Sequence, residues 1–525
     1  MGLWDHAWLG VQAIFLGPEL FTLFGVGVSV TLCMILFGFL LGLIVGAVPG
    51  LAGPMAMAIS LPILISVFGF SPTAFLPVMG FLIGVMKGAT VGGAVPAILF
   101  NTPGTPDAFL TTLDGHPMAR NGQARQALKA AHLSSVSGDT FSDIVLILCA
   151  PFLAITVERY LDLPEKTGLL ILSLACIASF IGGSVGKGMV STGLGLLVAM
   201  IATGEDFYPR LTMGSPALAQ GIPIAAAVLG VLVIGEVFRS LEDMWRDGIE
   251  NPKDVAPPQS STAAAEVSFG RLFPFIARSS VIGTAIGALP GVGSTLAATL
   301  GYTAGKATHA RTKLPEEPDF GEGTPKGVAA TEAANSSVSG ANMIPVLSLG
   351  IPGNAAAVFL ILAMESIGGF NPGPGVFRLT GNEVNPELVL AFGLFTAMFV
   401  TNALNWTIGG ICMRSLGVMA RAPKHILLPI VLLLTLTAIY VQETEMSAMW
   451  IAIAFGFLGY GMRRVGMSPL PFVIAFILGG RLEDTARQAF SATGGNPFFL
   501  FTHPIAFLFL GLSVAVVVIN LRRNA

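Results

Sequence analysis

Charge is the scarcest resource in this 525-residue sequence. It has 27 Lys and Arg against 30 Asp and Glu, 11% of the chain, where an ordinary soluble domain carries about 25%. A soluble protein of this length needs a charged surface, and this one cannot supply it. The net charge of −3 is dispersed and forms no basic face, which excludes nucleic acid as a partner. Four cysteines (Cys33, Cys149, Cys176, Cys412) lie far apart in apolar runs and make no CxxC, which argues against a disulfide framework or a zinc site. Six scattered histidines include no HExxH, and no GxxxxGK[ST] phosphate loop occurs. Neither an ATPase nor a zinc enzyme is expected. The opening MGLWDHAWLG has no basic segment or small-residue cleavage site, so no signal peptide is read there.

Apolar residues fill the space. They make up 53% of the chain and the mean hydropathy is strongly positive. The expected class is an all-α polytopic membrane protein. A spanning helix needs about 20 mostly apolar residues. Candidate segments are 20–47, 51–68, 73–90, 138–160, 168–182, 186–203, 222–240, 272–289, 291–304, 328–345, 385–412, 425–441, 447–462, 468–481 and 503–520. Several are short enough to be half-helices, so about 11 to 14 crossings are expected. The polar stretch 241–270 reads as a cytoplasmic linker between a first transport repeat, 1–240, and a second, 271–525. Shorter polar loops are expected at 114–132 and 305–327.

The first 86 residues contain no Lys or Arg, and the basic loops fall later. Placing every basic loop in the cytoplasm puts the N-terminus outside and the C-terminus inside.

The 64 Gly and 34 Pro cluster, and the clusters repeat. GAVPG at 46–50 returns as GALPG at 287–291. GAVPAILFNTPG at 93–104 returns as NMIPVLSLGIPG at 342–353, with the two prolines seven apart in both copies. Pro49 and Pro290 are 241 residues apart; Pro103 and Pro352 are 249 apart. The charge-based topology runs the two halves in opposite directions, giving inverted repeats of the kind common in secondary transporters.

Pro lacks the N–H and Gly accepts left-handed backbone, so Pro-Gly breaks a helix. At membrane depth such a break needs a polar cavity or burial in protein. One Pro-Gly pair is an ordinary interfacial turn; four in two matched pairs point to a site. Helix N-termini after the breaks suit an anion, and freed carbonyls suit Na⁺. The expected substrate-binding residues are Asn101, Thr102, Pro103, Gly104 and Thr105 at one break, Gly350, Pro352, Gly353 and Asn354 at the other, and Ser294 and Thr295 beside GALPG. Coupling-ion candidates are Gly50, Asp107, Gly291, Glu332, Asn335 and Ser348.

Ionisable residues inside apolar stretches add to this. Glu332 is either an ion ligand or proton carrier, or else a structural cap. Lys87 either meets an anionic substrate or pairs with a carboxylate such as Asp107 or Glu332. Asp139 and Asp143, at i and i+4 near a helix start, read as matches to the helix dipole. Glu236 reads as interfacial.

These motifs resemble the large membrane subunit of the tripartite tricarboxylate transporters. The resemblance is carried by GAVPGLAGP at 46–54, GGAVPAILFNTPGTP at 92–106, LDGHPMARNG at 113–122, GALPGVGSTLA at 287–297, FGEGTPKGVAATEAAN at 320–335, IPVLSLGIPGNAAA at 344–357 and PGPGVF at 372–377. It spans about 330 residues in the family's order. It implies a bacterial inner-membrane, elevator-type secondary transporter with re-entrant Pro-Gly hairpins. The implied partners are a small four-helix membrane subunit and a periplasmic solute-binding protein. The implied activity is uptake of a carboxylate driven by Na⁺, or by H⁺, with no other cofactor. Three places depart from the pattern: Ser336-Ser337 after EAAN, Ala52 within the first motif, and Lys87 where an aromatic residue is more usual. The alternative reading is a stand-alone Na⁺- or H⁺-coupled anion carrier. A membrane enzyme or lipid flippase would want an Arg or metal cluster at the membrane face.

Overall fold

The computed structural model describes the chain apart from residues 1, 24–25, 49–50, 182–183, 202–209, 213, 215–217, 219–220, 248–267, 314–316, 380–382, 418–423 and 525. Pro49, Gly50 and most of the expected linker lie outside the described residues.

A helix, α1 (Leu3–Phe15), and an antiparallel hairpin of β1 (Glu19–Leu23) and β2 (Val26–Ser29) precede α2 (Val30–Ala47). The single helix expected over 20–47 is thus corrected to a hairpin followed by a helix. Phe21, Thr22 and Val28 favour strand, and the Ser29 hydroxyl caps α2 by accepting from Leu32 N–H at 3.2 Å. The first half continues with α3 (Gly53–Phe68), α4 (Phe75–Gly92), α5 (Ala94–Phe100), α6 (Thr111–Met118), α7 (Ala124–Tyr160), α8 (Leu163–Ile181), α9 (Val185–Ala199), α10 (Ile224–Leu229) and α11 (Gly235–Asp247). The loop expected at 114–132 is helical instead. Its small residues Ala127, Ala130 and Ala131 are buried, and Arg120, Arg125 and Lys129 face outward. The second half holds α12 (Phe269–Gly287), α13 (Gly293–Thr312), α14 (Pro325–Ala341), α15 (Met343–Leu349), α16 (Ala355–Ile367), α17 (Pro386–Leu404), α18 (Gly410–Ser415), α19 (Lys424–Glu443), α20 (Met446–Arg464), α21 (Leu470–Ala492), α22 (Phe499–Thr502) and α23 (Pro504–Asn524). Among the described residues, 8 helical runs are long and apolar enough to cross a membrane, and three apolar helices are shorter.

The sequence repeat is a repeat of local structure. α4 runs into α5 through Gly93 (φ −61°, ψ −24°), and α14 into α15 through Asn342 (φ −61°, ψ −25°). Pro96 and Pro345 stand three residues beyond, and neither can donate the next helical hydrogen bond. Both short helices end in left-handed backbone, at Asn101 (φ 54°) and Gly350 (φ 69°). Both are closed by the same bond: Thr102 N–H to the Pro96 carbonyl at 3.3 Å, and Ile351 N–H to the Pro345 carbonyl at 3.2 Å. In both copies this wide bond, reaching back six residues, closes the helix C-terminus around the left-handed residue.

α4 and α14 are the inner helices of their halves, and small residues put them there. A β-carbon on Gly38, Gly42 or Gly46 of α2 would lie 2.1–2.4 Å from a backbone carbonyl of α4. One on Gly84, Gly88 or Gly92 of α4 would lie 2.3–2.6 Å from a carbonyl of α2. The two backbones touch, as glycines at four-residue spacing permit. α14 replaces Gly largely with Ala and Ser and is buried from Gly327 to Ala341. Gly283 of α12 and Gly138 of α7 approach its Ala334 and Ala333 carbonyls in the same way.

The halves exchange contacts reciprocally. α14 lies along α7 of the first half, and α4 against α17 of the second. The segment 106–110 packs on α13, and α16 packs on α3. Each half therefore presents the chain after its second break to the helix after the other half's first break.

Candidate functional site

The first tip is Asn101–Asp107. Asn101 and Thr102 are exposed; Pro103 and Thr105 are half-buried. Gly104 is buried, its N–H directed to the Gly93 carbonyl at 3.4 Å, and a β-carbon on it would lie 2.2 Å from the Gly46 carbonyl. It is therefore a packing residue that ties the tip to the end of α2. Asp107 accepts a hydrogen bond from the Thr295 hydroxyl at 2.7 Å. Thr295 and Ser294 open α13 of the other half, just past Gly291 (φ 79°) and Gly293 (φ 74°), where positive φ lets the chain turn after Pro290. A β-carbon on Gly291 would lie 2.4 Å from the Ile177 side chain.

Below this contact, Glu332 of α14 is fully buried. It accepts from the Thr111 hydroxyl of α6 and from the Ser135 hydroxyl of α7, the latter at 3.0 Å. Asn335, one turn on, is buried with its Nδ2 unpartnered. Glu332 and Asn335 are thus brought to the first tip, and Asp107 lies near enough to repel Glu332. Thr111 and Ser135 escaped sequence reasoning because the apolar window for the α7 span began only at 138.

Two expectations need correction. Lys87 pairs with neither Asp107 nor Glu332. It pairs with Asp143 at 2.8 Å and Asp139 at 3.3 Å, and donates to Asn402 Oδ1 at 3.1 Å. Asp139 and Asp143 are therefore not dipole matches at a helix start. α7 begins at Ala124, which puts both carboxylates mid-helix on a buried face. Asn402 Nδ2 donates to Asp143 Oδ2 at 2.7 Å, and the Ser339 hydroxyl donates to Asp139 Oδ1. The signal was present in HLSSVSGDTFSD: Ser135, Asp139 and Asp143 recur every four residues, a single helical face.

The second tip, Gly350–Asn354, is set apart from this polar seam. Asn354 caps α16, accepting from Ala357 N–H at 2.8 Å. Ser348 is buried and donates to the Ala150 carbonyl at 2.9 Å. A β-carbon on Gly353 would lie 2.1 Å from Asn342 Oδ1, and Pro352 is buried. Arg481 of α21 donates to the Gly350 carbonyl at 3.1 Å and pairs with Glu365 at 2.7 Å. A cavity of about 400 Å³ opens beside this tip, its wall including Leu349, Ile351, Lys166, Arg481, Glu387 and Asp484. Lys166 and Arg481 had no motif around them to mark them. Glu236 pairs with Arg463 at 2.7 Å.

The family described as "Tripartite tricarboxylate transporter TctA family" matches residues 32–474. The chain belongs to the TctA family. A protein of Agrobacterium vitis, "Uncharacterized 52.8 kDa protein in TAR-I ttuC' 3'region", is 32% identical over 502 residues, covering 94% of this chain and 93% of that protein. A second from the same organism, "Uncharacterized protein in TAR-II ttuC' 3'region", is 31% identical over 243 residues, 46% of this chain and 93% of that protein. No solved structure matches. The chain is a multi-pass membrane protein of a transporter family.

The structure gives one of the motifs of this TctA-family chain a mechanical reason. Asp114, in LDGHPMARNG, accepts on one oxygen from the N–H groups of Gly321 (3.0 Å), Gly323 (3.1 Å) and Thr324 (2.9 Å). Those residues are the FGEGT that opens α14. One carboxylate thus pins the start of the helix carrying Glu332 to the helix that follows the first tip. Among the described residues, no three His, Cys, Asp or Glu side chains gather as a metal site.

Proposed function

We propose that this chain is the permease that moves a small organic carboxylate, a tricarboxylate or dicarboxylate, across the bacterial inner membrane. It uses a Na⁺ or H⁺ gradient. It works with a small four-helix membrane subunit and a periplasmic solute-binding protein, and its C-terminus is cytoplasmic. The observation that carries this reading is the Asp107–Thr295 contact across the halves, set over buried Glu332, in a chain of this family. The reciprocal cross-half packing supports inverted repeats and an elevator-like movement of the two tips.

The chemistry divides between the tips. Asp107, Glu332, Thr295 and Asn335 at the first offer oxygens to a cation. Lys166, Arg481 and the peptide N–H of Gly353 offer donors to an anion. We therefore assign the coupling cation to the first tip and the carboxylate to the second. Asn101–Thr105 then close the first tip rather than hold the anion.

The test is uptake of labelled citrate and a panel of dicarboxylates into proteoliposomes under imposed Na⁺ or H⁺ gradients, with and without the two partners. Uptake that needs all three proteins and one gradient supports the proposal. Uptake by this chain alone removes the partners from it. No uptake of any carboxylate overturns the substrate class. Thr295→Val removes one hydrogen bond to a carboxylate, about 1.5–3 kcal/mol, and should cut uptake roughly 10- to 100-fold. It is a cleaner probe than a β-branched residue at Gly104 or Gly353, which would collide with neighbouring atoms.

A further inference from the structure

Four carboxylates and one lysine line a single seam, with Glu332, Asp139, Asp143 and Lys87 buried and Asp107 half-buried. Ser135, Asp139 and Asp143 follow one another on one face of α7, at four-residue steps. Ser135 holds Glu332, which neighbours Asp107 at the first tip; Asp139 and Asp143 hold Lys87. The groups facing the deep end are Lys87 from α4, Ser339 from α14 and Asn402 from α17. His132 lies two turns back on α7, bonded to the Asn405 carbonyl at 2.9 Å. Lys87, Asp139 and Asp143 are all at most 1% exposed.

The charges there do not balance. One ammonium faces two carboxylates, and the ion pairs of the described residues give the cluster no second cation. An uncompensated charge in a buried site costs several kcal/mol. The hydrogen bonds say which carboxylate is the better compensated. Asp143 Oδ2 takes the short contact from Lys87 at 2.8 Å and a second bond from Asn402 at 2.7 Å. Asp139 has Lys87 only at 3.3 Å and a neutral hydroxyl, while each carboxylate keeps one unpartnered oxygen, Asp139 Oδ2 and Asp143 Oδ1. A separate side chain in the seam also has bonding capacity to spare: the Ser336 hydroxyl, between Glu332 and Ser339 on α14, is fully buried and unpartnered.

We propose that the Lys87–Asp139–Asp143 cluster is a proton-binding site, with the proton carried on Asp139 and exchanged along the seam through Glu332 and Asp107. The step is simple addition: Asp139 carboxylate plus H⁺ gives the carboxylic acid, and release on the other side restores the carboxylate. Lys87 stands six residues before the Gly93 kink and Ser339 three before the Asn342 kink. The cluster therefore joins the helices leading to both tips, and its charge bears on both. As a coupling site this rests on the transporter reading above; as a proton site it stands alone.

The experiment is infrared spectroscopy of the full chain in liposomes, with no substrate, reading the C=O band of a buried carboxylic acid as pH is varied. The expected result is a band at neutral pH that vanishes in Asp139→Asn and persists in Lys87→Met. Ser339→Ala, which keeps both charges, should move the band without abolishing it and guards against misfolding of the first variant. Wild-type and Asp139→Asn spectra that superimpose at every pH, or a band that Ser339→Ala leaves unmoved, would overturn the proposal. The coupling role is read in citrate-loading proteoliposomes: a pH gradient should drive wild-type uptake at least tenfold better than it drives Asp139→Asn. Equal uptake by both overturns that role. If no carboxylate moves at all, the transporter reading falls while the infrared band still decides the proton site.

Discussion

Lys87→Met tests the reading of the interior most directly. The Lys87 ammonium has three protons and three acceptors, at 2.8, 3.3 and 3.1 Å, so each proton is used. Methionine keeps the length and apolar stem but leaves the Asp143 carboxylate facing a protonated Asp139 and an amide without a cation. Removing one partner of a buried pair costs about 3–5 kcal/mol. The double variant Lys87→Met/Asp143→Asn removes that remaining charge and keeps the bond network with Asn402, so it should recover about half of that loss. The two substitutions should therefore couple by roughly 2 kcal/mol, within the range for contacting residues. The assay is the temperature at which purified chain loses its monodisperse gel-filtration peak, with all variants heated at one rate because such unfolding is irreversible. A 3–5 kcal/mol loss should lower that midpoint by roughly 3–10 °C, scaled down from smaller domains for chain length. A Lys87→Met midpoint equal to wild type, or a double variant no better than the single, would refute the claim that this cluster is a compensated buried ion pair.

The other predictions concern separate parts of the fold. Gly88→Leu puts a β-carbon 2.3 Å from the Phe39 carbonyl; α2 and α4 must part by about 1 Å, and the expected outcome is aggregated protein on gel filtration, while Gly186→Ala, in open space, should behave as wild type. Asp114→Ala strips three N–H groups of their acceptor and should speed hydrogen exchange at 321–328 at least tenfold, with Asp114→Asn in between. Glu332→Gln can still bond both hydroxyls, one donating to its Oε1 and the other accepting from its Nε2, but it loses the charge, so ion-driven uptake should fall tenfold or more with the gel-filtration peak unchanged. Asn354→Ala removes the cap of α16 and should cost about 1 kcal/mol, which Asn354→Ser largely restores; equal midpoints for all three would dismiss the cap.

How much of this was legible beforehand depends on whether a residue acts through its neighbours along the chain or through neighbours in space. Proline and glycine act on their own backbone. Their spacing therefore announced the kinks, the two tips and the repeat, and the structure places equivalent backbone at Gly93 and Asn342 and again at Asn101 and Gly350. The shortage of charge likewise required a membrane protein, because burial of apolar surface depends on composition. Glu332 stood out because a carboxylate in an apolar run is costly wherever it points, and Asp107 because it follows the break at Pro103-Gly104. Partnership was not legible. Lys87 and Asp143 are 56 residues apart and Lys87 and Asn402 are 315 apart. Nothing local distinguishes that pairing from Lys87 with Asp107 or Glu332. Window averages also blurred the ends of elements: a hairpin hid in the apolar run before Val30, and the polar start of α7 read as a loop, so Ser135 was lost and Asp139 seemed terminal. The sequence by itself determined where the chain must bend and that its interior holds charge. Only the tertiary structure decided which charges meet, because that depends on how closely glycine and alanine let distant helices approach.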